Sequence, residues 1–100
     1  MTLDIYQKIE KDFGDDAIEV HDALKVLDAK TKGLISNRLI RAIIFLAKGD
    51  VEAFHQKVKL AQVDYRDVLY QAEYNYPENE RVRDFSQTFY QLGLLNGKST

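Results

Sequence analysis

The fold is decided by the stretch Leu39-Ile-Arg-Ala-Ile-Ile-Phe-Leu-Ala47, an apolar run that only Arg41 interrupts. Ser36 precedes this run at a helix N-cap position, and Lys48-Gly49 follows it with a basic residue and a glycine that can end a helix. A helix that is apolar on nearly every side is normally buried on nearly every side. We therefore predict a central helix over about residues 37–48, with the rest of the chain packed around it.

Two helices are predicted before this run. Their apolar positions recur at helical spacing and are Tyr6, Ile9 and Phe13 in the first, and Val20, Ala23, Leu24 and Leu27 in the second. Gly14 ends the first helix, and Asp16 with Glu19 resembles a capping box for the second, which runs to about residue 29. Leu34-Ile35 is expected to insert into the core before the central helix begins.

A longer pattern begins after Asp50, which is placed to cap another helix. Its apolar positions recur at alternating spacings of 3 and 4, and they are Val51, Phe54, Val58, Ala61, Tyr65, Val68 and Ala72. One helix over residues 51–74 explains this seam. A break near Asp64 is the alternative, and we favour it, because Val63-Asp64-Tyr65 has poor helix propensity and Asp64-Tyr-Arg-Asp67 resembles a new N-terminus.

The C-terminal part also carries helical signals. Asn75 and Glu78 around Pro77 resemble the cap of a short helix. The apolar positions beyond it again follow helical spacing, and they are Val82, Phe85, Phe89 and Leu92. The predicted fold class is therefore all-α, a single compact domain of five or six short helices over residues 1–95, followed by a flexible tail over residues 96–100.

The composition is that of a folded soluble domain. Of the 100 residues, 45% are hydrophobic and 30% are charged, the net charge is −2, and there is no cysteine. A chain of this length forms one domain, and its apolar runs are too short to span a membrane. Met1-Thr2-Leu3-Asp4 lacks the basic and apolar regions of a secretory signal, so we expect a cytoplasmic protein without membrane contact.

No motif in the sequence carries recognisable chemistry. Glu52 and His55 have the Glu-x-x-His spacing of helical di-iron sites, but such a site needs this motif twice. The other histidine is His21, and Ile18 stands three residues before it. We expect a protein that is not an enzyme and that binds no cofactor, metal or small-molecule ligand.

Aromatic residues provide the strongest candidate for a contact surface. Four tyrosines lie close together in the sequence, and they are Tyr65, Tyr70, Tyr74 and Tyr76. Tyr70 and Tyr74 lie off the seam, on roughly the opposite face of the helix. Either residues 82–95 cover that face within the monomer, or a partner does.

Tyrosine and arginine are enriched at protein interfaces, so neighbouring arginines strengthen this candidate. The candidate partner-binding residues are Tyr70, Tyr74, Arg66 and Arg81. The predicted function is a small non-catalytic protein-interaction module that binds another protein or itself, with a homodimer as one option.

A helix-turn-helix DNA-binding regulator is the alternative function. The second helix, the loop near Gly33 and the central helix have roughly suitable lengths, and Asn37, Arg38 and Arg41 would lie at the start of a recognition helix. Against this, the central helix is apolar on nearly all sides, whereas a recognition helix needs an exposed polar face to enter a groove. With a net charge of −2 as well, nucleic acid is not the expected partner.

Overall fold

Helices dominate the structure, a computed structural model that describes residues 1–75 and 77–96. The helices are α1 (Leu3–Phe13), α2 (Ala17–Lys30), α3 (Asn37–Ala47) and α4 (Val51–Glu73), with a 3₁₀ turn (Gly14–Asp16) between α1 and α2. Two short strands, β1 (Tyr74–Asn75) and β2 (Glu80–Arg81), pair antiparallel with Tyr74 opposite Arg81. In its packing, α3 lies mainly against α4 and also contacts α1.

The helix α3 begins and ends at the residues that the sequence predicts. The Ser36 side chain accepts a hydrogen bond from the Leu39 amide, 3.1 Å away, and Lys48 ends the helix in the left-handed conformation with φ 50°. Gly49 follows with φ 79°, and a Cβ at that position would lie 2.6 Å from the Asp12 carbonyl oxygen. Glycine is therefore required there both by conformation and by the close approach of α1.

The core is built on α3. Its buried apolar residues are Ile40, Ala42, Ile43, Ile44 and Ala47, and they pack with Ile5, Ile9 and Phe13 of α1, Val20, Leu24 and Leu27 of α2, and Phe54, Val68 and Ala72 of α4. The predicted stripe of α2 is confirmed. In α1 the buried position is Ile5, whereas Tyr6 is 45% exposed, so the predicted stripe is wrong by one residue at its start.

The break predicted near Asp64 is confirmed as a kink. Helical hydrogen bonding runs from Val51 to Glu73, but Asp64 has the non-helical angles φ −153° and ψ 96°. Its carboxylate accepts a hydrogen bond from the Arg66 amide at 3.0 Å, which is the bond expected of an N-cap residue. The two halves of α4 are therefore not collinear. Side chains at the kink no longer lie on the apolar seam that a straight helix over residues 51–74 would have.

The prediction of an all-α fold of five or six helices is wrong, since the described residues form four α-helices and a two-stranded sheet. A hairpin stands where the cap of a short helix was expected after Pro77. Asn79 adopts the left-handed conformation with φ 57°, and its amide donates to the Asn75 carbonyl at 2.8 Å, so the chain turns back instead of starting a helix.

Residues 82–95 form no helix either, although Phe85 and Phe89 are both fully buried at the predicted spacing. We call this segment the C-terminal strap. Two of its amides are bound by buried carboxylates rather than by helical carbonyls. The Phe85 amide donates to Glu73 at 2.8 Å, and the Phe89 amide donates to Asp4 at 2.9 Å. The helical spacing predicted the burial of Phe85 and Phe89 correctly, but Val82 is exposed and Leu92 is only partly buried, and long-range bonds determine the backbone path.

A buried ion pair joins the strap to α1 and α3. Arg41 is 4% exposed and Asp4 is 2% exposed, and the guanidinium donates to both carboxylate oxygens at 2.9 and 3.2 Å. The remaining donors of Arg41 reach the carbonyls of Phe85 and Ser86 and the hydroxyl of Thr2. All five N–H groups of the guanidinium therefore have acceptors.

Three further local expectations need correction or lie outside the structure. Asp16 makes no side-chain capping bond, because the 3₁₀ turn leads directly into α2. Ile35 packs against the core as predicted, but Leu34 is 84% exposed. Of the predicted tail, Asn96 is exposed, whereas residues 97–100 lie outside the described residues, as does Tyr76.

Ile43→Ala tests the position of the core. Ile43 is fully buried, so we expect the free energy of unfolding to fall by about 2–5 kcal/mol through lost apolar burial and the cavity that remains. Urea denaturation measures this change. The matched control is Leu34→Ala, which we expect to change stability by less than about 0.5 kcal/mol. Equal effects of the two substitutions would contradict the packing described here.

Candidate interaction surface

The kink of α4 forms one side of an apolar groove. The groove has a volume of about 740 Å³, and its apolar lining comprises Leu27, Leu34, Ile35, Leu39, Ala61 and Tyr65. In the part of the chain that the structure describes, Lys30 is the one charged residue of this lining. The lining residues come from the end of α2, the loop after it, the start of α3 and the part of α4 beside the kink.

A second, shallower hollow lies on the other side of Tyr65. Its volume is about 700 Å³, and it is lined by Tyr65, Arg66, Asp67, Leu69, Tyr70 and Tyr74 of the second half of α4 and the hairpin, with Arg38 and Glu73. Because Tyr65 lines both hollows, they form one continuous surface. We call the residues that line the two hollows the kink face.

The kink face exposes large apolar and aromatic side chains. Leu34 is 84% exposed and Tyr65 is 53% exposed, while Tyr70 and Tyr74 are 39% and 36% exposed. The rings of Tyr70 and Tyr74 stack on each other with centroids 5.3 Å apart and 20° between their planes, and the Tyr70 hydroxyl donates to the Asn79 side chain. The hairpin therefore holds this ring pair in place, and a partner would meet a surface that is already ordered.

Below the tyrosines lies a fully buried carboxylate, Glu73. Arg38 donates to it through Nε at 3.0 Å and also through Nη2, Arg81 donates at 3.2 Å, and the Phe85 amide donates at 2.8 Å. Glu73 thus joins α3, β2 and the strap to the end of α4. This cluster fixes the floor of the second hollow.

Electrostatics favour the ionised form of this carboxylate. Burial opposes ionisation of Glu73, but the hydrogen bonds from Arg38 and from the Phe85 amide outweigh it and hold the pKa below its usual range. Asp4 follows the same pattern, since the bonds from Arg41, Thr2 and the Phe89 amide outweigh burial and lower its pKa. The bond to Glu73 in turn raises the pKa of Arg38.

The structure brings the sequence-predicted contact residues together. Tyr70, Tyr74 and Arg66 all line the second hollow, and Arg81 contacts its floor through Glu73. Tyr70 and Tyr74 are both exposed and stand outside the core cluster, so residues 82–95 leave this face at least partly open. Their role as contact residues stays a prediction.

Two of the most exposed apolar and aromatic members of the kink face, Leu34 and Tyr65, were not among the predicted contact residues. Tyr65 was predicted in the buried seam of α4, and this is wrong because the kink at Asp64 turns its side chain to the surface. Leu34 was expected in the core, but Ile35 fills that position instead. The helix-breaking sequence around Asp64 was the available signal for Tyr65, whereas the sequence carries no signal that distinguishes Leu34 from Ile35.

The residues considered for DNA contact are largely engaged inside the molecule. Arg41 is buried against Asp4, so it is not available to reach a base. Arg38 is bound to Glu73 through two of its nitrogens. The first half of α3 therefore uses these two arginines to hold the fold together.

Comparison with known proteins provides no relative. No protein-family model, no curated protein and no solved structure matches this chain significantly. Within residues 1–75 and 77–96, no helix combines the length and the apolar character that crossing a bilayer requires. The kink face is consequently judged from its own geometry.

Glu73→Gln tests the buried cluster through its pH dependence. Because folding lowers the pKa of Glu73, its contribution to stability is present at neutral pH and is lost as the pH falls through the folded-state value. We expect Glu73→Gln to destabilise the protein at pH 7 by about 2–4 kcal/mol, since Arg38 and Arg81 lose a buried charged partner. The difference from wild type should shrink as the pH is lowered below about 4.

Urea denaturation at several pH values measures this difference. The control is Glu78→Gln, the same change at an exposed glutamate in the hairpin turn. A destabilisation by Glu73→Gln that is constant from pH 7 to about pH 3 would show that its charge does not stabilise the fold.

Proposed function

We propose that this protein is a small non-catalytic interaction module and that the kink face is its contact surface for another protein molecule. The observation that carries the proposal is the continuous apolar and aromatic surface around Tyr65, on which Leu34 is 84% exposed. Contiguous exposed apolar surface in a soluble protein commonly marks a site of interaction.

The chemistry of the face supports a protein rather than a small molecule as the partner. Both hollows are open and adjoin each other, so they offer a broad surface instead of one enclosed cavity. Tyrosine rings that are held in place by stacking contribute contact area at low cost in conformational entropy. The arginines at Glu73 provide hydrogen-bond donors beside them.

The proposal includes a cytoplasmic location and no catalytic activity. A chain without cysteine suits a reducing compartment. Among residues 1–75 and 77–96, the carboxylates of the kink face are Asp67 and Glu73, and Glu73 is fully buried under two arginines. Binding, rather than acid–base chemistry, is therefore the use that this surface supports best.

Site-specific photo-crosslinking tests the proposal. A benzoylphenylalanine is placed at position 34 or 65 of the full chain in native cells, and the same residue at position 18 serves as control. Ile18 is 74% exposed on α2 and does not line the kink face. We expect illumination to give a discrete crosslinked protein species from positions 34 and 65 but not from position 18, because only the first two belong to the contact surface.

A crosslink to a different protein and a crosslink to a second copy of this chain would both support the proposal, because each is another protein molecule bound at the kink face. Weak, diffuse products of equal yield from positions 34, 65 and 18 would contradict it. Thermal unfolding of each purified variant verifies that the fold is retained.

A further inference from the structure

We propose that the kink face binds the kink face of a second copy of this chain, in a two-fold dimer whose axis passes close to Tyr65. This inference rests on the proposed function, because it names the occupant of the same surface. In a two-fold interface each patch meets its own copy, so the patch must be complementary to itself.

Charge complementarity is the first observation that points to a second copy. Lys30 lines the groove on one side of Tyr65, and Asp67 lines the hollow on the other side. Both residues are exposed, and among residues 1–75 and 77–96 neither forms an ion pair. In the two-fold dimer the groove of one copy faces the second hollow of the other, and each Lys30 pairs with the Asp67 of the other copy.

The other charges of the kink face do not oppose such a contact. Glu73 is neutralised by Arg38 and Arg81 within one molecule, and Arg81 also contacts Asp84 at 3.1 Å. Arg66 lies 3.4 Å from Asp64 on its own chain. Two faces that meet therefore bring together few unbalanced charges of the same sign, which would otherwise repel.

Shape and size also fit a second copy. The face combines a groove with a projecting Leu34 beside it, so the same surface offers both a recess and a side chain to fill one. Among the described residues seventeen line the two hollows, and two of these, Leu27 and Glu73, are buried. A standard protein interface uses about 20–30 residues on each side, so a face of this size fits a small and weak interface.

Sedimentation velocity of the purified full chain tests the dimer. We expect wild type to dimerise with a dissociation constant of about 1–100 μM, in the range of weak interfaces. Lys30→Glu and Asp67→Lys should each weaken the dimer about tenfold, because each substitution places two pairs of like charges opposite each other. The double variant should recover to within about threefold of wild type, since the pairs are restored with exchanged signs.

Two apolar substitutions complete the experiment. Leu34→Lys should abolish the dimer, whereas Ile18→Lys, the same change at an exposed residue outside the kink face, should leave it unchanged. Circular dichroism and thermal unfolding verify that every variant is folded.

The outcomes separate this inference from the proposed function. A wild type that stays monomeric at about 500 μM overturns the dimer, and a crosslinked species of a different protein from positions 34 and 65 would then still support the interaction module. A dimer that none of these substitutions changes overturns the assignment of the kink face. Single charge variants that weaken the dimer without recovery in the double variant overturn the pairing of Lys30 with Asp67.

Discussion

The ion pair between Asp4 and Arg41 is the constraint on which the rest of the structure depends. Arg41 lies in the middle of the most apolar helix, so a core built on α3 must also bury a guanidinium. An unpaired buried charge is strongly unfavourable, and removing one partner of a buried pair typically costs about 3–5 kcal/mol. The first helix and the C-terminal strap pack on the same side of α3, where Asp4 and the Phe85 carbonyl accept hydrogen bonds from the buried guanidinium.

Two buried carboxylates then determine the path of the strap. Asp4 binds the amide of Phe89, and Glu73 binds the amide of Phe85. These bonds seat two aromatic rings in the core, where both are fully buried, while the backbone between them follows turns instead of a helix. Glu73 also holds Arg38 and Arg81, so the same cluster that seats the strap fixes the hairpin and the floor of the second hollow.

Local signals predicted the parts of the fold that local bonds determine. The ends of α3 and the break at Asp64 follow from capping residues and helix propensity, and they lie where the sequence places them. The strap could not be predicted in this way, because the amides of Phe85 and Phe89 bond to carboxylates that are distant in sequence. Asp4 and Phe89, for instance, are 85 positions apart. The lone charge in the apolar run was nevertheless a signal that Arg41 needs a buried partner.

In the kink face, too, the residues predicted correctly are those whose position follows from the local sequence. Tyr70 and Tyr74 were predicted as contact residues because their spacing places them off the seam of α4, and Arg66 because arginine is enriched at interfaces. The structure gathers all three in one hollow. Tyr65 and Leu34 were missed, since their exposure depends on the direction of the chain after the kink and on the choice of Ile35 as the core residue. The spacing of apolar residues along the chain cannot predict exposure that depends on how distant segments pack together.

Native-state hydrogen exchange at the amides of Phe85 and Phe89 tests most directly whether buried carboxylates hold the strap. Both amides donate to carboxylates that are at most 2% exposed, so we expect them to exchange only through global unfolding, as slowly as the amides in the middle of α3. Exchange of these two amides at the rate of exposed turn amides, while the amides of α3 stay protected, would contradict the account.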